Sequence, residues 1–249
     1  MELTVLGSSG TWPPAGGATC GYLVSHEHTH IWLDAGTGTF ANLQRWMAIG
    51  DLSAIVITHG HPDHFLDVVP AFYARHYGGL GERGLPFYAP EGFVSLVSAL
   101  VAEDGRDVMA EAYAFTTVRD GDHFRVGPFE IDAFEMAHVG VSALGYRIAA
   151  GGATLAYTGD TGPSDVVVEM ARDVDVLMAE ASYQEDSTKM PFHLSARQAA
   201  EHAKAAGVGR LLLTHVLPTL DTAVSLAEAR SVFDRVELAD EGLVTVIGS

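Results

Sequence analysis

The chain has 249 residues, of which 48% are hydrophobic and 18% are charged, a composition typical of a globular protein and not of a disordered one. Its 32 acidic residues outnumber its 14 basic residues and give a formal net charge of −18. No Lys/Arg-rich segment is present to neutralise phosphates, so long nucleic acids are disfavoured as partners.

The sequence also limits the compartment and the redox chemistry. Cys20 is the only cysteine, which excludes an intrachain disulfide. No run of 18 apolar residues could span a membrane, and the chain enters a predicted strand at Glu2 without a charged-then-apolar leader. We therefore expect a cytoplasmic protein with no membrane partner.

Short β-rich runs alternate with helical stretches along the chain. In the first half, strands are predicted at Leu3–Leu6, Gly21–Ser25, His30–Leu33 and Ala54–Thr58, and helices at Thr39–Met47, Asp67–His76 and Gly92–Ala102. In the second half, strands are predicted at Tyr113–Val118, His123–Val126, Phe129–Ala137, Leu144–Ala149, Thr154–Tyr157, Val174–Ala179, Arg210–Thr214 and Leu243–Ile247, and helices at Ser195–Ala206 and Thr222–Phe233. The long gaps between short strands favour an α/β fold with two sheets sandwiched between helices over one doubly wound sheet.

Two of the predicted strands end in the same way, one in each half of the chain. Ile55-Val56-Ile57-Thr58 leads into His59, and Leu211-Leu212-Leu213-Thr214 leads into His215. This similarity predicts two similar βα halves that face each other and supply ligands from both sides of one cleft.

The segment after the fourth predicted strand carries the strongest functional signal. Thr58-His59-Gly60-His61-Pro62-Asp63-His64 contains three imidazoles and a carboxylate within six positions. His59 and His61 project to one side of an extended chain and can therefore bind one cation together. The turn that follows can direct Asp63 and His64 toward a second cation. Nitrogen and oxygen donors without sulfur suit catalytic Zn²⁺ or a similar divalent metal. The alternative is a His-rich surface loop with chance spacing.

Three further residues lie at the ends of predicted strands, where α/β folds place their chemistry. These residues, His138, Asp160 and His215, complete a candidate set of metal ligands. Taken singly, His138 is also compatible with a packed or surface residue, and Asp160 with an acid in the first turn of a helix. Taken together, the residues predict two divalent ions with Asp160 as a bridge. One ion is assigned to His59, His61 and His138, and the other to Asp63, His64 and His215.

With this set, the chain resembles the metallo-β-lactamase-fold hydrolases over nearly its whole length. The five motifs of that superfamily match Asp34 of Asp34-Ala35-Gly36, His59-x-His61-x-Asp63-His64, His138, Asp160 and His215. The resemblance implies a four-layer αββα sandwich with two pseudo-symmetric halves, and a single hydrolase domain over residues 1–249. It also implies two divalent ions, which we expect to be Zn²⁺, although the same ligands accept Mn²⁺, Fe²⁺ or Co²⁺.

The resemblance assigns a supporting role to Asp34. It is similar to the acid that orients the metal loop in this superfamily, which fits its position directly after a predicted strand. The alternative is a simple turn aspartate before Gly36.

Within the superfamily, the segment from Pro191 to His215 is similar to the ribonuclease Z-like phosphodiesterases. In that branch a histidine before the corresponding helix assists the leaving group, and His193 matches this histidine. The alternative is that His193 only lies next to the residue that caps the helix and has no catalytic role. The segment Ala179-Glu180-Ala181-Ser182 resembles the branch's His-Glu-Ala-Thr motif, in which the Glu contacts that histidine. Because Ala and Ser replace the His and Thr, only Glu180 is carried over. We expect Asp63, His193 and Glu180 to be the catalytic residues.

The length between two motifs bears on the substrate. Ribonuclease Z enzymes carry a long Gly/Pro-rich arm for tRNA between the third and fourth motifs, whereas only 21 residues, Val139 to Gly159, separate them here. The compact chain resembles the bacterial cyclic-nucleotide phosphodiesterases of this branch. The leading hypothesis is therefore hydrolysis of a 3′,5′-cyclic nucleotide or a similarly small phosphodiester.

Three alternatives remain open at this stage. The first is a ribonuclease Z-like RNA-processing nuclease. The second is a carboxyl-ester or lactone hydrolase that uses a tyrosine in place of His193, for which Tyr146, Tyr157 and Tyr183 are candidates. The third is a non-catalytic metal-binding or regulatory module.

Two further segments have predicted roles beside the metals. Ser142 and Tyr146 border the predicted site and are candidates for contact with a phosphate or a base. The aromatic-rich helix Phe72–Tyr77 is expected to pack in the core, with pocket lining or a dimer interface as alternatives. Because relatives in this branch are commonly dimers, we expect a homodimer.

Overall fold

The computed structural model describes residues 1–102, 105–187 and 190–248. Two seven-stranded mixed sheets pack face to face, and helices cover the outer face of each sheet. This is the four-layer α/β sandwich predicted from the sequence. No helix within the described ranges is long and apolar enough to cross a membrane.

The first sheet is built from the N-terminal half of the chain and one returning C-terminal strand. Its members are β1 (Glu2–Gly7), β2 (Gly21–His26), β3 (Thr29–Ala35), β4 (Ala54–Val56), β5 (Leu85–Pro90), β6 (Tyr113–Val118) and β14 (Val244–Val246), in the order β14-β1-β2-β3-β4-β5-β6. Strands β1 to β3 pair antiparallel, while β3 to β6 pair in parallel. The carboxyl ends of β3 and β4 therefore meet at one edge.

The second sheet follows the same antiparallel-then-parallel scheme. Its members are β7 (His123–Val126), β8 (Phe129–Glu135), β9 (Leu144–Ala150), β10 (Ala153–Tyr157), β11 (Val176–Glu180), β12 (Arg210–Thr214) and β13 (Val236–Leu238), in the order β13-β12-β11-β10-β9-β8-β7. Strands β7 to β10 pair antiparallel and β10 to β13 pair in parallel. The sequence predicted this sheet except for β13, which is only three residues long.

Three of the predicted helices end earlier in the structure. They are α1 (Thr39–Leu43), α2 (Pro62–Phe65), α3 (Val68–His76), α4 (Phe93–Ser98), α5 (Gly105–Ala112), α6 (Asp165–Met170), α7 (Ala196–Ala206) and α8 (Thr222–Arg230). Helices α1 and α4 end four residues before their predicted limits, and α8 ends three residues before its predicted limit. Helix α7 ends as predicted, because a capping box begins it and a left-handed Gly207 ends it. Helix α5 was not predicted.

The core has three apolar clusters, which explains why the strands read as continuous apolar runs. One lies between the sheets, and the other two lie between each sheet and its helices. On β3, for example, Ile31 faces the other sheet while Trp32 faces the helices. Phe72 of α3 is fully buried in the helix layer, which confirms core packing, whereas Tyr73 and Tyr77 are exposed.

Candidate metal centre

All seven predicted metal ligands lie together at the carboxyl edge of the two sheets. Four of them follow β4, and the others come from the loops after β8, β10 and β12. Because β8 ends at Glu135 and not at Ala137, His138 is the third residue of its loop and not the first. The cleft is therefore supplied by both halves, as the histidine-ended strands predicted.

The second half fastens the metal loop in place. Leu144 N–H donates to the carbonyl of Thr58 at 2.9 Å, and the Tyr146 hydroxyl donates to the carbonyl of Ile57 at 2.8 Å. Gly159 has a φ of +57°, and a Cβ there would lie 2.9 Å from the Cβ of Thr58. Only glycine allows this approach, which brings the loops on either side of the cleft into contact.

One group of ligands, the all-histidine triad, consists of His59, His61 and His138. His138 Nε2 lies 3.0 Å from His61 Nδ1, and the ring of His59 is 4.9 and 5.0 Å from theirs, centroid to centroid. His138 Nδ1 donates to the carbonyl of Phe192 at 3.1 Å, which leaves the Nε2 lone pair directed at the site. His61 and His138 are half-buried, whereas His59 is fully buried.

The other group, the mixed triad, consists of Asp63, His64 and His215. Asp63 Oδ2 lies 3.1 Å from His215 Nε2 and 3.7 Å from His64 Nε2. Asp160 faces both triads: its oxygens lie 3.2 Å from His64 Nε2, 3.4 Å from His215 Nε2 and 3.8 Å from His59 Nε2. Its carboxylate has the position expected of a bridge.

Asp34 orients the mixed triad from behind. It is fully buried with a φ of +55°, and His64 Nδ1 donates to its Oδ2 at 2.8 Å. The same carboxylate accepts from the backbone N–H and hydroxyl of Thr58 and from the hydroxyl of Tyr157. These bonds fix the ring of His64 with Nε2 toward the site, the arrangement common around metal-ligating histidines.

Glu180 connects two histidines on the other side of the cleft. His193 Nδ1 donates to Glu180 Oε1 at 2.8 Å, and the Ser182 hydroxyl donates to Glu180 Oε2 at 2.7 Å. Because that hydroxyl gives its proton to a carboxylate, His215 Nδ1 must donate to Ser182 Oγ, 2.8 Å away. Ser182, which sequence reasoning set aside as a departure from a motif, thus holds His215 in place.

The N-terminal loop also supports the site, and sequence reasoning missed it. Thr11 N–H donates to Asp63 Oδ2 at 2.8 Å. A Cβ on Gly10 would lie 2.6 Å from the carbonyl oxygen of His215, so this loop packs against that ligand. Thr11, Asp34 and His215 are three of the five non-glycine residues with positive φ among the described residues, and such strain often accumulates at functional sites. The only sequence signal was the turn-rich Gly7–Gly10 segment.

The two triads differ in protonation. In the all-histidine triad, burial lowers the pKa of His59, His61 and His138 and favours neutral rings. In the mixed triad, burial also lowers the pKa of each imidazole, but the nearby carboxylates, Asp160 foremost, outweigh it. They raise the pKa of His64 well above its usual range and that of His215 to about 9.

The carboxylates show the reverse balance. Burial raises the pKa of Asp63 and Asp160, but the charges of His64 and His215 outweigh burial. Both carboxyl groups are therefore held well below their usual pKa range and are ionised at neutral pH.

The donor atoms fit divalent metal ions. His59 Nε2, His64 Nε2 and Asp160 Oδ1 are buried and have no hydrogen-bond partner within the described part of the chain. Unpartnered polar atoms of this kind are rare because they carry a desolvation penalty. All three point into the cluster, where a cation would satisfy them, and nitrogen with carboxylate oxygen suits Zn²⁺ and related metals.

The tyrosines near the site are not available to a substrate, with one exception. Tyr146 and Tyr157 are almost fully buried and their hydroxyls are engaged with Ile57 and Asp34. The expectation that Tyr146 contacts a phosphate or a base is therefore wrong, and neither residue can act as a lactonase tyrosine. Tyr183 is half-buried, with its ring 5.9 Å from that of His193.

Comparison with known proteins identifies the family and the fold. A family model described as a beta-lactamase superfamily domain matches residues 29–216. The probable metallo-hydrolase YhfI of Bacillus subtilis is 31% identical over 98% of this chain and 99% of its own. Its crystal structure has a TM-score of 0.89 to this chain, with 27% identity and 99% of both chains covered.

Ribonucleases of the Z type are also similar to this chain. Ribonuclease Z of Archaeoglobus fulgidus is 27% identical over 97% of this chain and 96% of its own. The crystal structure of the short form of human tRNase Z has a TM-score of 0.78 and 21% identity, with 100% of both chains covered, which supports the common fold. The fold and the ribonuclease Z-like resemblance predicted from the motifs are confirmed.

Proposed function

The chain belongs to the beta-lactamase superfamily of metallo-hydrolases, and from that premise we propose that it hydrolyses a small phosphodiester, in the first place a 3′,5′-cyclic nucleotide. The two triads would hold two divalent ions, with Asp160 between them. Zn²⁺ is the simplest ion with which to test this arrangement. When bound, such ions polarise phosphoryl oxygens and lower the pKa of water, which supplies the nucleophile.

The observation that carries this proposal is the placement of His193. Its Nδ1 is committed to the buried carboxylate of Glu180, and its ring stacks 5.6 Å from that of His215. Burial lowers the pKa of His193, but Glu180 outweighs burial and raises it. The raised pKa favours the protonated ring, which is the form that a general acid requires.

His193 and Glu180 divide the proton chemistry between them. Glu180 fixes the ring orientation and stabilises the imidazolium, while His193 Nε2 gives its proton to the leaving alkoxide. General acids of this kind contribute about 10²–10⁴ in rate. Asp63, which accepts a hydrogen bond from Thr11 N–H, would orient the attacking water.

The size of the substrate follows from what surrounds the cleft. The 21 residues between His138 and Asp160 are used by β9, β10 and their turn, so this position has no arm for a tRNA. The net charge of −18 opposes a long polyanion. A small monoanion is attracted locally, because two divalent cations outweigh the carboxylates of Asp63 and Asp160.

A substrate panel tests the proposal. Purified protein supplied with Zn²⁺ or Mn²⁺ is expected to convert cyclic AMP to a monophosphate, with weak or no activity on a tRNA precursor and on a lactone. His193→Ala should lower kcat by about 10²–10⁴. The exposed turn histidine substitution His28→Ala is the matched control and should leave kcat unchanged. Lactone turnover without phosphodiester hydrolysis would overturn the proposal, and tRNA cleavage alone would favour RNA processing.

A further inference from the structure

A cavity of about 330 Å³ opens beside the metal loop. Its walls come from the segment after β5 in the first half and from the loop after His138 in the second half. The side chains and glycines that matter here are Gly60, Glu91, Phe93, Leu96, Val141 and Ser142. The metal chemistry described above does not use this cavity.

The cavity meets the metal loop at Gly60. Gly60 lies between the ligands His59 and His61, and a Cβ on Gly60 would come within 2.9 Å of Leu96 Cδ2. On the opposite side, Val141 follows His138 by three residues. A group attached to a phosphate at the metal centre would reach this cavity across Gly60.

The floor of the cavity is preformed. Phe93 is only 2% exposed and is held by Phe65 and Phe87, at ring-centroid distances of 5.2 and 5.6 Å. Leu96 rises from this floor and is 42% exposed. A rigid apolar floor with an exposed leucine as its wall is the surface that a flat, apolar ligand group would cover.

The charge of the lining selects against a phosphate. None of the lining residues, all of them within the described ranges, is Lys or Arg. The polar groups are the exposed Ser142 hydroxyl and the Glu91 carboxylate, whose Oε2 lies 3.5 Å from Arg119 Nε. Such a lining suits a neutral ring with hydrogen-bonding edges, and its volume falls in the range of small-molecule sites, about 300–1,000 Å³.

We propose that this cavity, the base pocket, binds the heterocyclic base of the nucleotide substrate while the phosphate occupies the metal centre. The inference rests on the proposed phosphodiesterase function. It makes Leu96 and Val141 specificity-determining residues, because their side chains would contact the base and not the reacting phosphate.

Two substrates, one with a base and one without, distinguish binding in the base pocket from hydrolysis of the phosphodiester. Val141→Trp should fill the pocket and raise the KM for cyclic AMP about tenfold, the scale of a lost base contact. The KM for ribose 3′,5′-cyclic phosphate, which has no base, should not change. Leu96→Ala, which removes a wall without adding bulk, should also raise only the KM for cyclic AMP. Leu100→Ala, an equally exposed leucine outside the pocket, is the matched control.

A binding measurement keeps the two proposals distinguishable. By calorimetry on the metal-loaded protein, adenosine monophosphate should bind more tightly than ribose 5-phosphate, and Val141→Trp should abolish the difference. If no phosphodiester is hydrolysed, this ratio still tests the pocket. Equal affinity for both ligands in the wild type, or variants that change both KM values alike, would overturn the base pocket and leave the proposed hydrolysis standing.

Discussion

The all-histidine triad and the mixed triad face the same carboxylate, Asp160, yet the protein holds them in opposite protonation states. Burial keeps His59, His61 and His138 neutral, whereas surrounding carboxylates keep His64 and His215 charged. Similar ligand types therefore behave differently, mainly because the carboxylates of Asp63 and Asp160 lie close to the rings of the mixed triad.

The residues that support the two triads also differ in charge. Behind the mixed triad, Asp34 and the Glu180–Ser182 pair hold the outer nitrogens of His64 and His215. Behind the all-histidine triad there is a carbonyl at His138 and a hydroxyl at His59, both uncharged. A metal must displace protons from the mixed triad, but the all-histidine triad is ready to bind.

The largest effect is expected where the triads meet. Asp160→Ala should remove the shared ligand and reduce metal content and hydrolysis by more than the roughly 10–100-fold loss caused by substitutions behind the ligands. Asp51→Ala, an exposed aspartate that is not one of the ligands, is the control. Full activity in Asp160→Ala would show that the metals are not required.

Removing one ligand from each triad should show that each triad holds its own ion. We expect His61→Ala to lose the ion of the all-histidine triad and His64→Ala to lose the ion of the mixed triad, so each variant retains one ion. Metal analysis after dialysis measures this directly. Simultaneous loss of both ions in both variants would mean that the triads do not bind independently.

Substitution of Asp34 should weaken the mixed triad more than the all-histidine triad, because His64 binds Asp34 directly whereas His59 reaches it only through the Thr58 hydroxyl. Asp34→Asn keeps the shape of the side chain but removes the charge that orients His64, so the affinity of one ion should fall about 10–100-fold. A two-site titration with Zn²⁺ would detect the change. Equal weakening of both sites would contradict the assignment of Asp34 to one triad.

Proton release should distinguish the triads without any substitution. The pKa of His64 is raised well above its usual range and that of His215 is raised to about 9, so both rings carry an extra proton in metal-free protein at pH 7. A metal ion that binds the mixed triad must displace these protons, about two in all. Calorimetry in buffers of different ionisation enthalpy measures their number. Binding at the all-histidine triad should release none, and proton release from that triad would contradict the account.

The raised pKa of His215 also sets a direction for the stability of metal-free protein. The contribution of His215 to the free energy of unfolding is fully present below its pKa in the unfolded chain, about 6.5. This contribution is lost as the pH rises through its pKa in the folded protein, about 9. Thermal denaturation at a series of pH values should therefore show falling stability across this window. A rise over the same range would contradict a charged His215.

The smallest effect is expected at Ser182. Ser182→Ala removes the hydrogen bonds to Glu180 and His215 and should lower kcat about tenfold, the scale of a hydrogen bond to a charged group. Ser182→Thr keeps the hydroxyl and should restore activity. No difference between Ala and Thr at this position would show that the hydroxyl does not position His215.

Sequence reasoning located the ligands more easily than their supports. The ligands follow apolar strands, and that local signal is enough to predict that His59 and His215 share one edge of the fold. Contacts such as Thr11 with Asp63, 52 residues apart, have no periodic signal and depend on how the sheets assemble. The same limit applies to Tyr146, which is close to the ligands in sequence but whose hydroxyl is buried against the carbonyl of Ile57.

The number of metal ions per chain tests the central claim most directly. Native mass spectrometry of the wild-type protein loaded with Zn²⁺ should show two ions per chain, one for each triad with Asp160 between them. A single ion at saturation, or none, would contradict a dinuclear centre built from both halves of the molecule.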